Sequence, residues 1–498
     1  MGGEIEGRVG EPRSPSPPLK ITNLTPMTDI KFGTSGWRGI IAEDFTFPRV
    51  RLVCQAIAQH LKVEGVAERG VVIGYDTRFL SEAFAAAAAE VMAGNAIPCY
   101  FTPRPTPTPV VSFAVIQGQR GGGINITASN NPPEYNGLKF SPAQGGPAPT
   151  AVTDSIENLL KTITPEEVKI LPLAAARKQG LVKDLDPRKA YLGHLQTLVD
   201  SAILEKAGLK VVVDALYGTG RDYLDAFLRE AGVEVELLHG YRDPYFGGQR
   251  PEPSGPFLEE LYARVQASGA HLGLAVDADA DRFGVVDRTG RYREANQILA
   301  LLLDYLIETR GWPGGVARSV ATTHLIDRVA AYHGRPVFET KVGFKYLGEY
   351  ILRDQAVMVG EESEGFSMKN HVPEKDGILA CLLVAEMVAR KGKDIPQLLE
   401  ELFARVGPVY DLRLNLSLAP AAKERLLALL KKSPSHFAGL KVVGHVTLDG
   451  HKYLLQDGSW VCFRPSGTEP VVRFYLEASS PEALERLKQA GLALLQEL

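Results

Sequence analysis

The sequence predicts an α/β protein of parallel or mixed sheets covered by helices on both faces, closed by a smaller α+β segment. Three observations predict it. Short β-branched runs alternate with longer amphipathic ones, the apolar runs are continuous rather than alternating, and closely spaced strand patterns fill the C-terminal part.

Residues 1–25, rich in Pro, Ser and Gly, lack the apolar core of a secretion signal and read as a flexible tail. Gly70–Asp76 (GVVIGYD) then reads as a buried strand, Leu80–Gly94 as an Ala-rich helix and Ile97–Phe101 as a strand. Leu209–Asp214 is a strand, followed by the turn Ala215–Gly220, a helix over about Arg221–Ala231 and strand Val233–Leu238. His271–Val276 leads into an acidic turn, and Phe283–Asp287 resumes as strand. Thr322–Gly334 reads as helix, Val337–Thr340 and Ala356–Val359 as strands, the latter running into a second acidic turn. Strands at Val442–Leu448, Tyr453–Gln456, Trp460–Arg464 and Val471–Glu477 precede a helix from Pro481 to Leu498, with Ser480 as its cap. Breaks in pattern divide the chain into α/β units at 26–186, 187–307 and 308–407 and an α+β unit at 408–498.

Composition excludes several classes of function. The 498 residues carry 55 Lys+Arg against 59 Asp+Glu, a formal charge of −4, without the basic field that nucleic acid or an acidic membrane needs. No apolar run is long enough to span a bilayer; Ile298–Ile307 is short and interrupted by Asp304. Cys54, Cys99, Cys381 and Cys462 lie far apart with no Cys-x-x-Cys pair, which predicts reduced thiols in a cytoplasmic protein.

Five polar loops stand where an α/β sheet presents its functional groups, beyond the carboxyl ends of strands. In TASNNPPEYNGLK, Ser129 stands just past a strand, either as a nucleophile or phosphoryl carrier with Lys139 nearby, or as an ordinary turn hydroxyl. In Asp277-Ala278-Asp279-Ala280-Asp281-Arg282, alternate carboxylates converge, and three like charges with only oxygen donors suit Mg²⁺. A calcium EF-hand fails there, because Arg282 and Arg288 occupy its glycine and glutamate positions. GEESEG (360–365) offers Glu361 and Ser363 to vicinal sugar hydroxyls, or is a surface turn. RPSGTEP (464–470) combines Arg464, Ser466, Gly467 and Thr468 into a phosphate cradle. GTSGWR (33–38) places Arg38 beside a developing negative charge, or is a glycine turn. A Walker loop, a Gly-x-Ser-x-Gly elbow and a His-Glu-x-x-His zinc motif are all missing, and Tyr223 spoils the dinucleotide fingerprint after Gly218.

Together FGTSGWRG, TASNNPPEYNGLK, DADADR, GEESEG and RPSGTEP, in this order from Phe32 to Arg473, resemble the alpha-D-phosphohexomutase superfamily of phosphoglucomutases and phosphomannomutases. The resemblance implies three α/β domains and a smaller α+β domain around a central cleft. It implies that Ser129 is phosphorylated, and that Asp277, Asp279 and Asp281 hold Mg²⁺ with an oxygen of the phosphoserine. By the same resemblance Glu361 and Ser363 hold sugar hydroxyls, and Lys345 lies in a substrate-contacting loop. Arg464, Ser466, Gly467 and Thr468 cradle the phosphate that does not react, and Arg38, Lys139 and Arg282 assist at the transferring group. Three positions depart from the family pattern: Asn130 replaces a His, Ala278 a Gly, and Glu364 a position commonly Gly.

The activity so implied is reversible transfer between O1 and O6 of a hexose phosphate, glucose favoured and mannose the alternative, with glucose 1,6-bisphosphate as intermediate and activator. Expected partners are small hexose phosphates, with no nucleic acid or membrane, for a monomer or homodimer. Two other classes compete: a haloacid-dehalogenase-like phosphatase with Asp277 as nucleophile, and a non-catalytic sugar-phosphate sensor.

Overall fold

The structure, a computed structural model, describes residues 30–33, 36–465 and 471–496; the expected tail at 1–25 lies outside them. Four sheets follow one another along the chain. The first orders its strands Trp37–Ile40, Tyr135–Pro142, Gly122–Ile126, Val71–Tyr75, Cys99–Phe101, Val182–Asp184. Its last four strands run parallel, and the hairpin of Gly122–Ile126 with Tyr135–Pro142 is antiparallel. The second runs Tyr292–Arg293, Phe283–Asp287, Leu272–Val276, Lys210–Asp214, Glu234–Leu238, and the third Val337–Thr340, Gly315–Ser319, Ala356–Glu361, Gly365–Met368. Both are mixed, with one or two antiparallel strands added to a parallel core. The fourth is antiparallel throughout and carries helices Pro420–Leu430 and Pro481–Gln496. Mixed sheets covered by helices, followed by a smaller α+β unit, are the architecture that continuous apolar runs predict.

Most expected elements move by only one to three residues at their ends. The helix expected from Thr322 starts at Leu325, because Ser319–Thr322 closes as a turn with Thr322 N donating to Ser319 O at 3.1 Å. Ser480 does cap the last helix, its Oγ accepting from Ala483 N at 3.2 Å. The fourth sheet adds Tyr410–Ser417 and His436–Phe437 to the expected four strands.

The unit boundary expected at 307/308 needs correction. Helix Ala295–Arg310 runs unbroken across it and packs against Leu325–Tyr332, Ile395–Val406 and strand Ala356–Glu361 of the third domain. Asp304 does not interrupt this helix, because His333 (2.7 Å) and Arg405 (3.1 Å) from neighbouring helices take up its carboxylate. The second and third domains share one core. Helix Gly377–Lys391 of the third lies against strands Leu272–Val276 and Phe283–Asp287 of the second, and its Ile378–Val388 segment is buried throughout. Asp376 caps that helix by accepting from Leu379 N at 3.0 Å. Glycine is required at its first position, since a Cβ on Gly377 would stand 2.2 Å from Arg282 O. The acidic turn of one domain is thereby fastened to a helix start of the next.

Candidate active site

Strand Gly122–Ile126 ends inside the molecule, and the chain turns at Thr127–Asn131. Ser129 adopts φ +51°, a left-handed conformation that only a stiff surround maintains. Arg78 supplies it. Its fully buried guanidinium donates to the carbonyls of Ser129, Asn131 (2.6 Å), Pro132 (2.7 Å) and Tyr135 (3.0 Å), and pairs with Asp76 at 3.2 Å. Asp76 also accepts from Thr127 Oγ1 (2.6 Å) and Ser81 Oγ (2.7 Å), and Thr127 Oγ1 accepts from Ser129 N at 2.9 Å. The Ser129 hydroxyl is left pointing across the domain boundary, where it donates to Asp277 Oδ2 at 2.6 Å.

Asp277 begins the turn after strand Leu272–Val276. Its Oδ1 accepts from Asp281 N (3.0 Å) and Arg282 N (3.1 Å), folding the acidic segment back so that Asp277, Asp279 and Asp281 gather, all buried. Ligand oxygens of the three lie within 4.8 Å of one another. The left-handed residue of this turn is Ala280 (φ +54°), so the family's glycine at the Ala278 position is not needed for that conformation here. Room for Ala278 comes from Gly218, where a Cβ would stand 2.8 Å from the Ala278 backbone. Thr108, at the start of a first-domain helix, donates its hydroxyl to Asp279 Oδ2.

Cations answer these carboxylates. Lys139 Nζ donates to Asp279 Oδ2 and Asp281 Oδ2, both at 2.6 Å, and Lys375 Nζ lies 3.4 Å from Asp281 Oδ2. Burial and the negative neighbours Asp279 and Asp281 push the Asp277 carboxyl well up. Burial also opposes the Asp281 charge, but Lys139, Lys375 and Arg282 outweigh it and hold that group well below the usual carboxylate range. Arg38 donates to the Asn131 side chain, and burial together with nearby Arg282 lowers its guanidinium to about 10. Arg282 stands between Asp281 (3.9 Å) and Glu364 (3.7 Å).

The glutamate loop caps the same space from the third domain. Glu361 Oε2 accepts from Gly343 N at 3.2 Å, and its carboxyl is pushed up by burial and by Glu362. Ser363 follows in the same turn and is half-buried. Glu364 adopts φ +61°, and burial pushes its carboxyl up to about 7 against the pull of Arg282. Arg464 Nε donates to Asp449 Oδ2 at 2.7 Å, and the same oxygen accepts from Val342 N at 3.1 Å, tying the fourth domain to the turn that leads into helix Phe344–Leu352. Lys345 lies not in a loop but in the first turn of helix Phe344–Leu352, and it reaches the first domain, donating to Thr150 Oγ1 at 3.0 Å. Ser466, Gly467 and Thr468 lie outside the described residues.

Four domains of the phosphoglucomutase/phosphomannomutase family match in order: α/β/α domain I at 29–167, II at 189–290, III at 294–406, and the C-terminal domain at 421–493. A phosphoglucomutase/phosphomannomutase of Thermococcus kodakarensis is 30% identical over 94% of this chain and 98% of its own length. The chain belongs to the alpha-D-phosphohexomutase superfamily. A phosphoglucomutase of Komagataeibacter xylinus is 31% identical, covering 90% of this chain and 87% of its own. A probable phosphoglucosamine mutase of Methanobrevibacter smithii is also 31% identical, over 94% and 98%. The crystal structure of a Thermus thermophilus protein, provisionally named a phosphomannomutase, superposes with a TM-score of 0.81 at 36% identity, covering 94% of this chain and 99% of that one. The protein is thus a phosphohexomutase, an isomerase, with relatives named for three sugars.

The superfamily is metal-dependent, and the acidic turn fits a small hard cation. Asp279 Oδ1 and Asp281 Oδ1 are buried with no hydrogen-bond partner among the described residues, in an all-oxygen set. Four contributors escaped the sequence reading: Arg78, Thr108, Lys375 and Arg250, whose Nε donates to Asn130 O at 3.2 Å. Asp76-x-Arg78, placed directly after an apolar strand, was the available signal for the first; the other three act across domains and leave no local one.

Proposed function

We propose that this phosphohexomutase interconverts the 1- and 6-phosphates of a hexose, glucose favoured, through phospho-Ser129 and a bisphosphorylated sugar. The observation that carries the reading is the 2.6 Å contact of Ser129 Oγ with Asp277 Oδ2, which sets a potential phosphoryl carrier against the carboxylate triad.

Asp277, Asp279 and Asp281, with an oxygen of phospho-Ser129, would hold Mg²⁺, which would neutralise charge on the transferring phosphoryl oxygens. The free sugar hydroxyl attacks phosphorus, the bond from phosphorus to Ser129 Oγ breaks, and the hydroxyl proton ends on that Oγ. Lys139, Arg38 and Arg282 ring this point and offset the developing negative charge. Glu361 and Ser363 grip sugar hydroxyls from the facing loop. Lys345 and the Arg464, Ser466, Gly467, Thr468 cradle anchor the phosphate at the far end. Turning the bisphosphate end for end lets its other phosphate return to Ser129, and added glucose 1,6-bisphosphate recharges an enzyme that has lost its phosphate. The phosphatase alternative is disfavoured by the sequence, where Ala280 follows Asp279 in place of the Thr or Val such a site needs, and it leaves the 464–470 loop without a role.

Intact-mass analysis and a coupled assay on glucose, mannose and glucosamine 1-phosphates with Mg²⁺ test the reading. We expect a phosphoryl group on Ser129 and fastest isomerisation of the glucose ester. Net release of phosphate without isomerisation overturns it.

A further inference from the structure

Two buried atoms of oppositely charged side chains, Arg282 Nε and Asp281 Oδ1, stand 3.9 Å apart without bonding to each other, and neither has a hydrogen-bond partner among the described residues. Such a pair closes unless something holds it open, because an unsatisfied buried donor or acceptor is costly. Asp281 Oδ1 is also one of the two oxygens left over for a cation.

The restraint on the other side of Arg282 is Glu364, whose Oε2 lies 3.7 Å from Nη1. This carboxylate is delivered by the third domain and held in register by backbone. Phe283 N donates to Glu364 O at 3.4 Å, and Arg282 and Gly365 form an isolated antiparallel bridge. Glu364 sits at φ +61°, a left-handed conformation that disfavours a side chain and suits glycine. A carboxylate thus occupies a backbone position suited to glycine, and among the described residues its close ion pair is with Arg282.

We propose that Glu364 is a positioning residue that draws the Arg282 guanidinium off Asp281, keeping the third carboxylate of the acidic turn open to the metal ion. The proposal rests on the reading of Asp277, Asp279 and Asp281 as metal ligands. Without Glu364, Arg282 has Asp281 as its nearest carboxylate and closes on Oδ1. An internal cation then competes with Mg²⁺ for the same oxygen.

Calorimetric titration of the purified enzyme with Mg²⁺ alone tests this without turnover. Glu364→Gly relaxes the backbone, and Glu364→Gln keeps the side chain's volume; both are expected to weaken Mg²⁺ binding by about fivefold or more. In an Arg282→Ala background the same substitutions are expected to leave Mg²⁺ affinity unchanged. Equal losses in both backgrounds reduce Glu364 to a distant negative charge and overturn the proposal. Unaltered affinity in the single variants overturns it as well. A wild-type enzyme that does not bind Mg²⁺ refutes the metal reading itself, and this proposal with it.

Discussion

Ser129 Oγ and Asp277 Oδ2, 148 positions apart in the chain and on different domains, meet at 2.6 Å. Ser129 is held by a buried guanidinium, and Asp277 by two backbone amides of its turn.

Ser129→Ala removes the proposed carrier oxygen and little else, since the Arg78 clamp binds backbone. Isomerase activity should fall by at least about a thousandfold. Glucose 6-phosphate should still raise the melting temperature of the variant. Turnover near the wild-type rate rules out the phosphoserine mechanism.

Asp279→Ala strips a carboxylate that Lys139 (2.6 Å) and Thr108 share. Calorimetry should show Mg²⁺ affinity lower by at least about tenfold, and added Mg²⁺ should no longer stimulate isomerisation. A metal response matching the wild type removes the acidic turn from consideration.

Arg78→Lys keeps the charge but cannot serve four carbonyls in a fork. We expect a loss of about 3 kcal/mol or more in urea denaturation, because buried carbonyls and Asp76 lose partners. Activity should drop further than stability accounts for at temperatures where the variant remains folded. An unchanged denaturation midpoint contradicts the clamp.

Glu477 supplies a pH test at the contact between the third and fourth domains. It accepts from Trp460 Nε1 (2.8 Å) and His324 N (3.1 Å), and burial raises its carboxyl from 4.5 to about 7. The folded state holds this proton more tightly than the unfolded chain. Its stabilising contribution is therefore full below about pH 4.5 and is lost as pH rises towards 7, by at most about 3 kcal/mol. Glu477→Gln should abolish that part of the decline between pH 5 and 8 in urea melts at each pH. A slope identical to the wild type's sinks the assignment.

Much of the site was legible because its loops follow directly on apolar strands. The Asp277–Asp281 carboxylates could be read as convergent from alternate spacing, and Ser129 from its place after Ile126. The residues that escaped notice act over distance. Arg78 works on carbonyls 51 to 57 positions further on, and Lys375, within a charged stretch that resembles a solvated turn, meets Asp281 only when two domains pack. The boundary set at 307/308 falls inside helix Ala295–Arg310, whose packing against third-domain elements is not visible in the local pattern. Gly36 and Arg38 read as a loop, whereas Trp37–Ile40 is an edge strand fixed by pairing with Tyr135–Leu138.

The left-handed backbone at Ser129 also limits which hydroxyl side chain this turn accepts. Threonine offers the same oxygen, but its branched Cβ is a genuine outlier at φ +51° and would push the chain out of that well, carrying the hydroxyl off the line to Asp277. Serine and threonine are therefore not equivalent at this bend, and an exchange of one for the other would have to rebuild the turn to bring the hydroxyl back to Asp277.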